Sequence, residues 1–201
     1  MSTAPTGAGP APAPDPARPS EARERLLRTA TELFYAEGVR AVGVDRVVAE
    51  ASVTRATFYR HFPGKEDLVV AYLRSVDAGA RRVAGALPEG AEGAAGWLRH
   101  LTELVSQELC RSGFRGCPFI NAAAEHPDPR SPVRRAVGEH RRWLVEAVTA
   151  AFRRTGHPDP PAAAQRWVVL RDGAMVAGYL ADPAAAQEAL RAGAEDLLAT
   201  R

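Results

Sequence analysis

The chain is short of several things that would otherwise define its chemistry. Its 201 residues hold two cysteines, Cys110 and Cys117, too few for a disulfide framework. No apolar run approaches the roughly 18 residues of a membrane span, since even GAMVAGYLA is short and carries two glycines. Charge of neither sign dominates: 26 Lys and Arg stand against 24 Asp and Glu. That balance permits a nucleic-acid partner but requires any basic footprint to be local. Signatures of the G-x-S-x-G, H-E-x-x-H, P-loop and glycine-rich dinucleotide types are missing, and His100, His126 and His157 lack ligand spacing. No enzyme, metal or cofactor is therefore expected. The N-terminus has no charged n-region followed by an apolar h-region, so the expectation is a soluble, cytoplasmic protein with no membrane partner.

No stretch alternates as a strand should, and the chain reads as all-α with about nine helices. Residues 1–19 hold prolines at 5, 10, 12, 14, 16 and 19 and no large apolar side chain after Met1, the composition of a disordered tail. After Ser20, a candidate N-cap, Leu26, Leu27, Ala30, Leu33 and Phe34 mark one face of a helix that stops near Gly38. A short helix follows from Val44 with Val47, Val48 and Ala51 in register, then a turn at Ser52 and Val53. A third begins at Thr54, where Val53 and Phe58 suit a hydrophobic staple, and FPG at 62–64 ends it. The fourth carries the apolar face Leu68, Val69, Tyr72, Leu73, Val76, Ala80, Val83 and Leu87, and Pro88 suggests its stop. Further helical patterns cover about 93–111, 117–125, 132–154, 161–181 and 183–200, several opened by proline near the first position.

The densest chemistry lies in ASVTRATFYRHFPGKEDL, residues 51–68. Two short helices joined by a tight turn and backed by an amphipathic helix form the arrangement whose second short helix enters a DNA major groove. Phe58 and Phe62 face a small core with Val53, leaving Thr54, Arg55, Ala56 and Thr57 at the exposed end. Arg55 can bridge guanine O6 and N7, and Thr57 can offer its hydroxyl or methyl to a base. Tyr59, His61 and Lys65 lie where they can hold phosphates. Between residues 41 and 65, Arg46, Arg55, Arg60 and Lys65 outnumber Asp45 and Glu50; taken alone, such a local surplus is commonly just a solvated face.

RLLRTATELFYAEGVRAVGVDRVVAEASVTRATFYRHFPGKEDLVVAYL resembles the N-terminal domain of the TetR family of bacterial transcriptional regulators. The match comprises a helix ending in phenylalanine and glycine, a short V-x-x-V helix, and T-F-Y-R-H-F-x-x-K-E-D-L. The resemblance implies base contacts from Arg55, Ala56 and Thr57 and phosphate contacts from Tyr59, His61 and Lys65; Arg46, from the local charge, and Thr54, from its place at the exposed helix end, complete the candidate DNA-binding set. It implies a helix-turn-helix domain over 20–66 and a helical ligand-binding and dimerisation domain over 67–201. Gly43 departs from the Ser or Thr usual before the second helix, Ser52 from the usual turn glycine, and Ala56 from a frequent glycine or proline.

In the rest of the chain, aromatic bulk with polar handles marks candidate ligand contacts: Trp97, Leu101, Phe119, Asn121, His140, Trp143 and Trp167. The same residues could be ordinary core. Cys117 opens a helix after Arg111 and Arg115, a setting for an oxidant or electrophile sensor with Cys110 as a resolving partner, or for a small buried hydrophobe. The Ala- and Gly-rich C-terminal helices fit the family's dimer interface, with Val168, Met175, Tyr179, Leu190 and Leu197 as candidates, although plain intrachain packing would use them equally. The expectation is a homodimeric repressor on a pseudo-palindromic double-stranded operator, released by a small lipophilic or aromatic effector. A helical-bundle enzyme or ligand carrier is the competing class.

Overall fold

The computed structural model describes residues 20–200; the tail expected over 1–19 lies outside the described residues, as does Arg201. Among the described residues the chain is all-α, with nine helices: α1 (Glu21–Glu37), α2 (Val44–Glu50), α3 (Arg55–His61), α4 (Lys65–Ala84), α5 (Ala91–Leu109), α6 (Pro118–Glu125), α7 (Pro132–Thr155), α8 (Pro160–Leu180) and α9 (Pro183–Ala199). None is long and apolar enough to cross a membrane. The helix boundaries lie within about three residues of those read in the sequence, and two of the differences bear on the site. Helix α4 ends before Pro88 because Gly85 turns the chain at φ 67 and donates its N–H to the Arg81 carbonyl, and α5 starts at Ala91 rather than 93.

The amino-terminal unit forms because three short segments share one underside. Seven-residue helices such as α2 and α3 are too short to hold alone, and tertiary burial stabilises them. Phe58 is 0% exposed and Val47 1%, packed with Leu26, Ala30 and Phe34 of α1 and Leu68 and Tyr72 of α4. Burial of each large side chain contributes about 1.5–3 kcal/mol. Thr54 caps α3 by accepting from Thr57 N at 3.1 Å. Ser52, in the turn where the resembled family favours glycine, adopts φ 51, the left-handed region in which a Cβ is strained.

The remaining helices pack as a bundle in which α8 lies between α7 and α9, and α5 touches all three. Side-chain caps fix their starts: Ser131 for α7, Asp159 for α8 and Asp182 for α9, each followed by proline. Arginine–carboxylate forks from Arg99 to Glu195 and from Arg191 to Glu103 pin α9 to α5.

The C-terminal helices correct the proposed dimer residues. Val168, Met175, Leu190 and Leu197 are 0%, 5%, 1% and 7% exposed in the single chain, so they belong to its own core and not to an outer surface. Tyr179 does face outward, beneath the Arg115 guanidinium. The outward apolar positions of α8 are instead Val169, Val176 and Leu180, the last 73% exposed.

Candidate DNA interface and internal cavity

Helix α3 presents a sorted surface. Phe58 and Phe62 point into the core, while Thr54, Arg55, Ala56, Tyr59 and Arg60 are exposed and Thr57, His61 and Lys65 are half-buried. Its cations are restrained. Arg55 donates Nε to Asp45 Oδ1 at 2.6 Å and a second bond to the other oxygen, a fork that fixes the plane of the guanidinium. Arg46 reaches Glu50 and, at 3.3 Å, Glu37. Thr57 shares a hydroxyl hydrogen bond with Thr54 at 2.9 Å. His61 Nε2 lies 3.2 Å from Ser20 Oγ; burial, with Arg60 and Arg23 nearby, lowers its pKa from the ordinary imidazole value. Burial likewise lowers Lys65, whose Nζ points at the Arg40 carbonyl.

Behind this unit the bundle holds a cavity of about 680 Å³ that opens to solvent. Its walls are the second half of the α4 apolar stripe (Val76, Gly79, Ala80, Val83), Leu101, Leu104 and Val105 of α5, Pro118 and Phe119 of α6, His140, Trp143 and Leu144 of α7, and Trp167, Arg171 and Met175 of α8. The stripe that reads as uniform in sequence thus divides: Leu68, Val69, Tyr72 and Leu73 are core, Val76, Ala80 and Val83 line the cavity, and Leu87, beyond the end of α4, packs against the core. A Cβ at Gly79 would meet nothing within 4 Å.

Of the candidate ligand residues, Leu101, Phe119, His140, Trp143 and Trp167 come together on these walls. Two do not join them. Trp97 is buried with Nε1 donated to the Ala84 carbonyl at 2.7 Å, where it anchors α5 to the end of α4. Asn121 faces the opposite side of α6 and donates to the Arg115 carbonyl at 2.7 Å. Cys117 lines a smaller adjoining space of about 210 Å³ with Phe119, His140 and Arg171. Its cationic neighbour is also not the one read from the sequence: Arg111 and Arg115 lie over the rings of Tyr35 and Tyr179, and Arg171 of α8 donates to Cys117 Sγ at 3.3 Å.

A polar lattice ties the cavity to α4. His140 stacks on Phe119 with centroids 3.6 Å apart and planes 3° from parallel, and its Nδ1 lies 2.7 Å from Asp77 Oδ1. A carboxylate only accepts, so Nδ1 carries the proton in the neutral ring. Arg81 donates to the other Asp77 oxygen at 2.7 Å and covers the Trp143 ring at 4.5 Å. Burial lowers the His140 pKa from its ordinary value, against the Asp77 hydrogen bond that raises it. Burial alone would raise the Asp77 carboxyl, but the bonds from Arg81 and His140 hold it below its ordinary value.

A second tie runs through α6, an eight-residue helix about 12 Å long. Near its start Phe119 forms cavity wall. At its end the Glu125 carboxylate accepts from Val39 N at 3.1 Å and Arg40 N at 2.5 Å, in the loop between α1 and α2. Gly38, at φ 92, comes so close that a Cβ would sit 3.2 Å from Glu125 Oε1. Tyr35 adds two bonds, donating to the Gly116 carbonyl and accepting from Arg115 N. Sequence patterns do not single out Glu125, Tyr35, Asp77, Arg81 or Arg171, because each acts through partners distant in sequence or on another helix.

The family model described as bacterial regulatory proteins, tetR family, matches residues 26–72, from within α1 through α2 and α3 into the first part of α4. Among curated proteins, the chain is 28% identical over 138 residues to the HTH-type transcriptional regulator LmrA of Bacillus subtilis, covering 68% of this chain and 73% of that protein. It is 25% identical over 134 residues to the HTH-type transcriptional repressor NemR of Escherichia coli, covering 66% of this chain and 67% of that one. Among solved structures, a TetR-family transcriptional regulator of Streptomyces coelicolor superposes with a TM-score of 0.83 and 49% identity, over 89% of this chain and 95% of that one. Relatives of this kind are regulators and not enzymes. With a superposition at 49% identity that covers 89% of the chain, the chain belongs to the TetR family of DNA-binding transcriptional regulators.

Proposed function

We propose that the protein is a cytoplasmic, homodimeric repressor whose two copies of α3 read a pseudo-palindromic operator and which a small ligand in the cavity releases from DNA. Residues 20–66 form the reading unit and 67–201 the ligand-binding and dimerising one. The observation that carries this reading is the shared use of α4: its first half packs on α1 in the core that also holds Phe58 of α3, and its second half is cavity wall. A ligand that fills the cavity presses on the helix that holds the reading unit, and Phe119 and Glu125 of α6 give it a second route. Half-sites about 34–36 Å apart tolerate only one separation of the two α3 helices. A ligand favouring another separation therefore weakens DNA binding by the same factor by which DNA weakens the ligand. The repressor sense is carried over from NemR, which is named as one.

On the reading surface, Arg55, Ala56 and Thr57 face base edges, with Thr54 capping the helix beneath them, and Arg46, Tyr59, His61 and Lys65 hold the phosphates. The Asp45 fork presents the Arg55 guanidinium flat, as a bidentate guanine contact requires. Dimerisation uses the outward row Val169, Val176 and Leu180 with Tyr179, which would otherwise leave large aliphatics in water.

The test combines fluorescence anisotropy on operator fragments at several salt concentrations with sedimentation. A steep log–log salt slope and a dimer that Val176→Arg with Leu180→Arg converts to monomer are expected. A parent protein that sediments as a monomer and still binds its operator tightly would sink the dimer reading.

A further inference from the structure

We propose that the cavity's ligand is an amphipathic anion, its carboxylate held by Arg171 and its aromatic or alkyl body lying against Trp143, Trp167 and Leu101. The proposal rests on the ligand-release reading above and specifies its chemistry. Arg171 is the cavity's buried cation, 8% exposed, on a wall that is otherwise mainly apolar. Its counter-charge is incomplete. Asp172 gives Oδ1 to Arg171 and Oδ2 to Arg141, so a single carboxylate serves two guanidiniums. The other Arg171 partner is the Cys117 sulfur, a weak acceptor. These two contacts leave further guanidinium N–H donors available, and a buried charge is costly until it is matched and hydrogen-bonded.

Surrounding groups do not supply the missing anion. Asp77, the carboxylate behind the cavity-lining His140, is committed to His140 and Arg81. At the mouth Glu108 is paired with Arg111, and Arg82 adds positive charge, a rim that draws anions inward. A planar carboxylate meets a guanidinium in two parallel bonds, which an alcohol or an amide does not reproduce. The volume of about 680 Å³ has room for a bicyclic aromatic acid or a medium-chain fatty acid. The apolar residues would supply most of the contact area, and Arg171 the discrimination by charge.

The experiment uses the full-length protein and two matched pairs of probes: naphthalene-2-carboxylate with its carboxamide, and decanoate with decanamide. Binding is read by quenching of tryptophan fluorescence, and function by release of labelled operator. Each carboxylate is expected to bind about tenfold or more tightly than its amide, the scale of one charge-assisted bond, and to release DNA in the same order. Arg171→Gln should erase the preference, and Arg171→Lys should retain part of it. The wild-type ratio needs no variant, so the test stands even if Arg171→Gln folds poorly. Equal binding and release by acid and amide would overturn the anionic class and leave ligand release intact. A preference that persists in a folded Arg171→Gln protein would overturn the assignment to Arg171. Failure of all four probes to bind or to release DNA would overturn the release reading together with it.

Discussion

Glu125→Ala removes a carboxylate that accepts from two backbone amides of the α1–α2 loop, Val39 N at 3.1 Å and Arg40 N at 2.5 Å. A hydrogen bond to a charged acceptor contributes a net 1.5–3 kcal/mol, roughly, when shielded. The Val39 bond is partly buried and the Arg40 bond solvent-exposed, which reduces the second to well under the first. Together they hold the loop on α6 with about 2 kcal/mol, and at about 1.4 kcal/mol per decade that is a factor of about 30 in the docking equilibrium. The assay is hydrogen–deuterium exchange of the amides at 38–41 in the DNA-free protein. Exchange there should accelerate about 30-fold in the variant, while amides in the middle of α5 and α8 stay unchanged. Operator affinity should survive, because α3 and its core are untouched, and ligand-induced release should weaken, because one of the two links from cavity to reading unit is gone. Exchange within a factor of two of the parent at Val39 and Arg40 would refute the energetic role given to this clasp.

Three further expectations bear on other parts of the molecule. Ser52→Gly relieves the φ 51 turn and should stabilise the protein by about 0.5–1 kcal/mol, seen as a rise of about 1–4 °C in Tm; an unchanged or lower Tm contradicts it. In an operator substitution series, Arg55→Ala should relax the base preference at one position by about tenfold, whereas Lys65→Ala should weaken all sequences alike and reduce the salt slope by about one; identical profiles would dissolve the division of roles. Burial lowers the His140 pKa, so the unfolded chain takes up a proton before the native one does. Its contribution to stability is flat above about pH 6.5 and is lost as pH falls below it. His61 is lowered in the same direction, so the measurement is the difference in Tm between pH 8 and pH 5 for the parent and for His140→Gln, and an identical loss in both contradicts the assignment.

The reading helix was legible because the signals that bound it are local, a capping threonine, a hydrophobic pair at Val53 and Phe58 and a glycine after the helix, although its stability comes from burial against other helices. The bundle was legible as helices for the same reason, through caps and prolines at their starts. Its surfaces were not. Helix α8 is rich in alanine and glycine and is contacted by α5, α7 and α9, so it carries almost no apolar asymmetry, and the outward row at 169, 176 and 180 leaves no periodic mark. Choosing its largest apolar residues therefore selected core. The cavity was half legible: aromatic bulk located its walls, but Trp97 carries the same bulk and serves as an anchor. The charged residues that give the site its character depend on pairings 54 to 86 positions apart, such as Arg171 with Cys117 and Val39 with Glu125, and a sequence window contains only one partner of each.

Gly79 stands on the cavity face of α4 with open space where a side chain would be. A glycine inside a helix destabilises it by about 0.5–1 kcal/mol relative to alanine, so this position trades helical stability for room. It also acts as a dial. Alanine, then valine, at 79 would shorten the cavity step by step while improving its wall, without touching the reading surface or Arg171. On the proposed ligand reading, each step would exclude the longer ligands first, and effector length would then be tuned at position 79 and effector charge at Arg171.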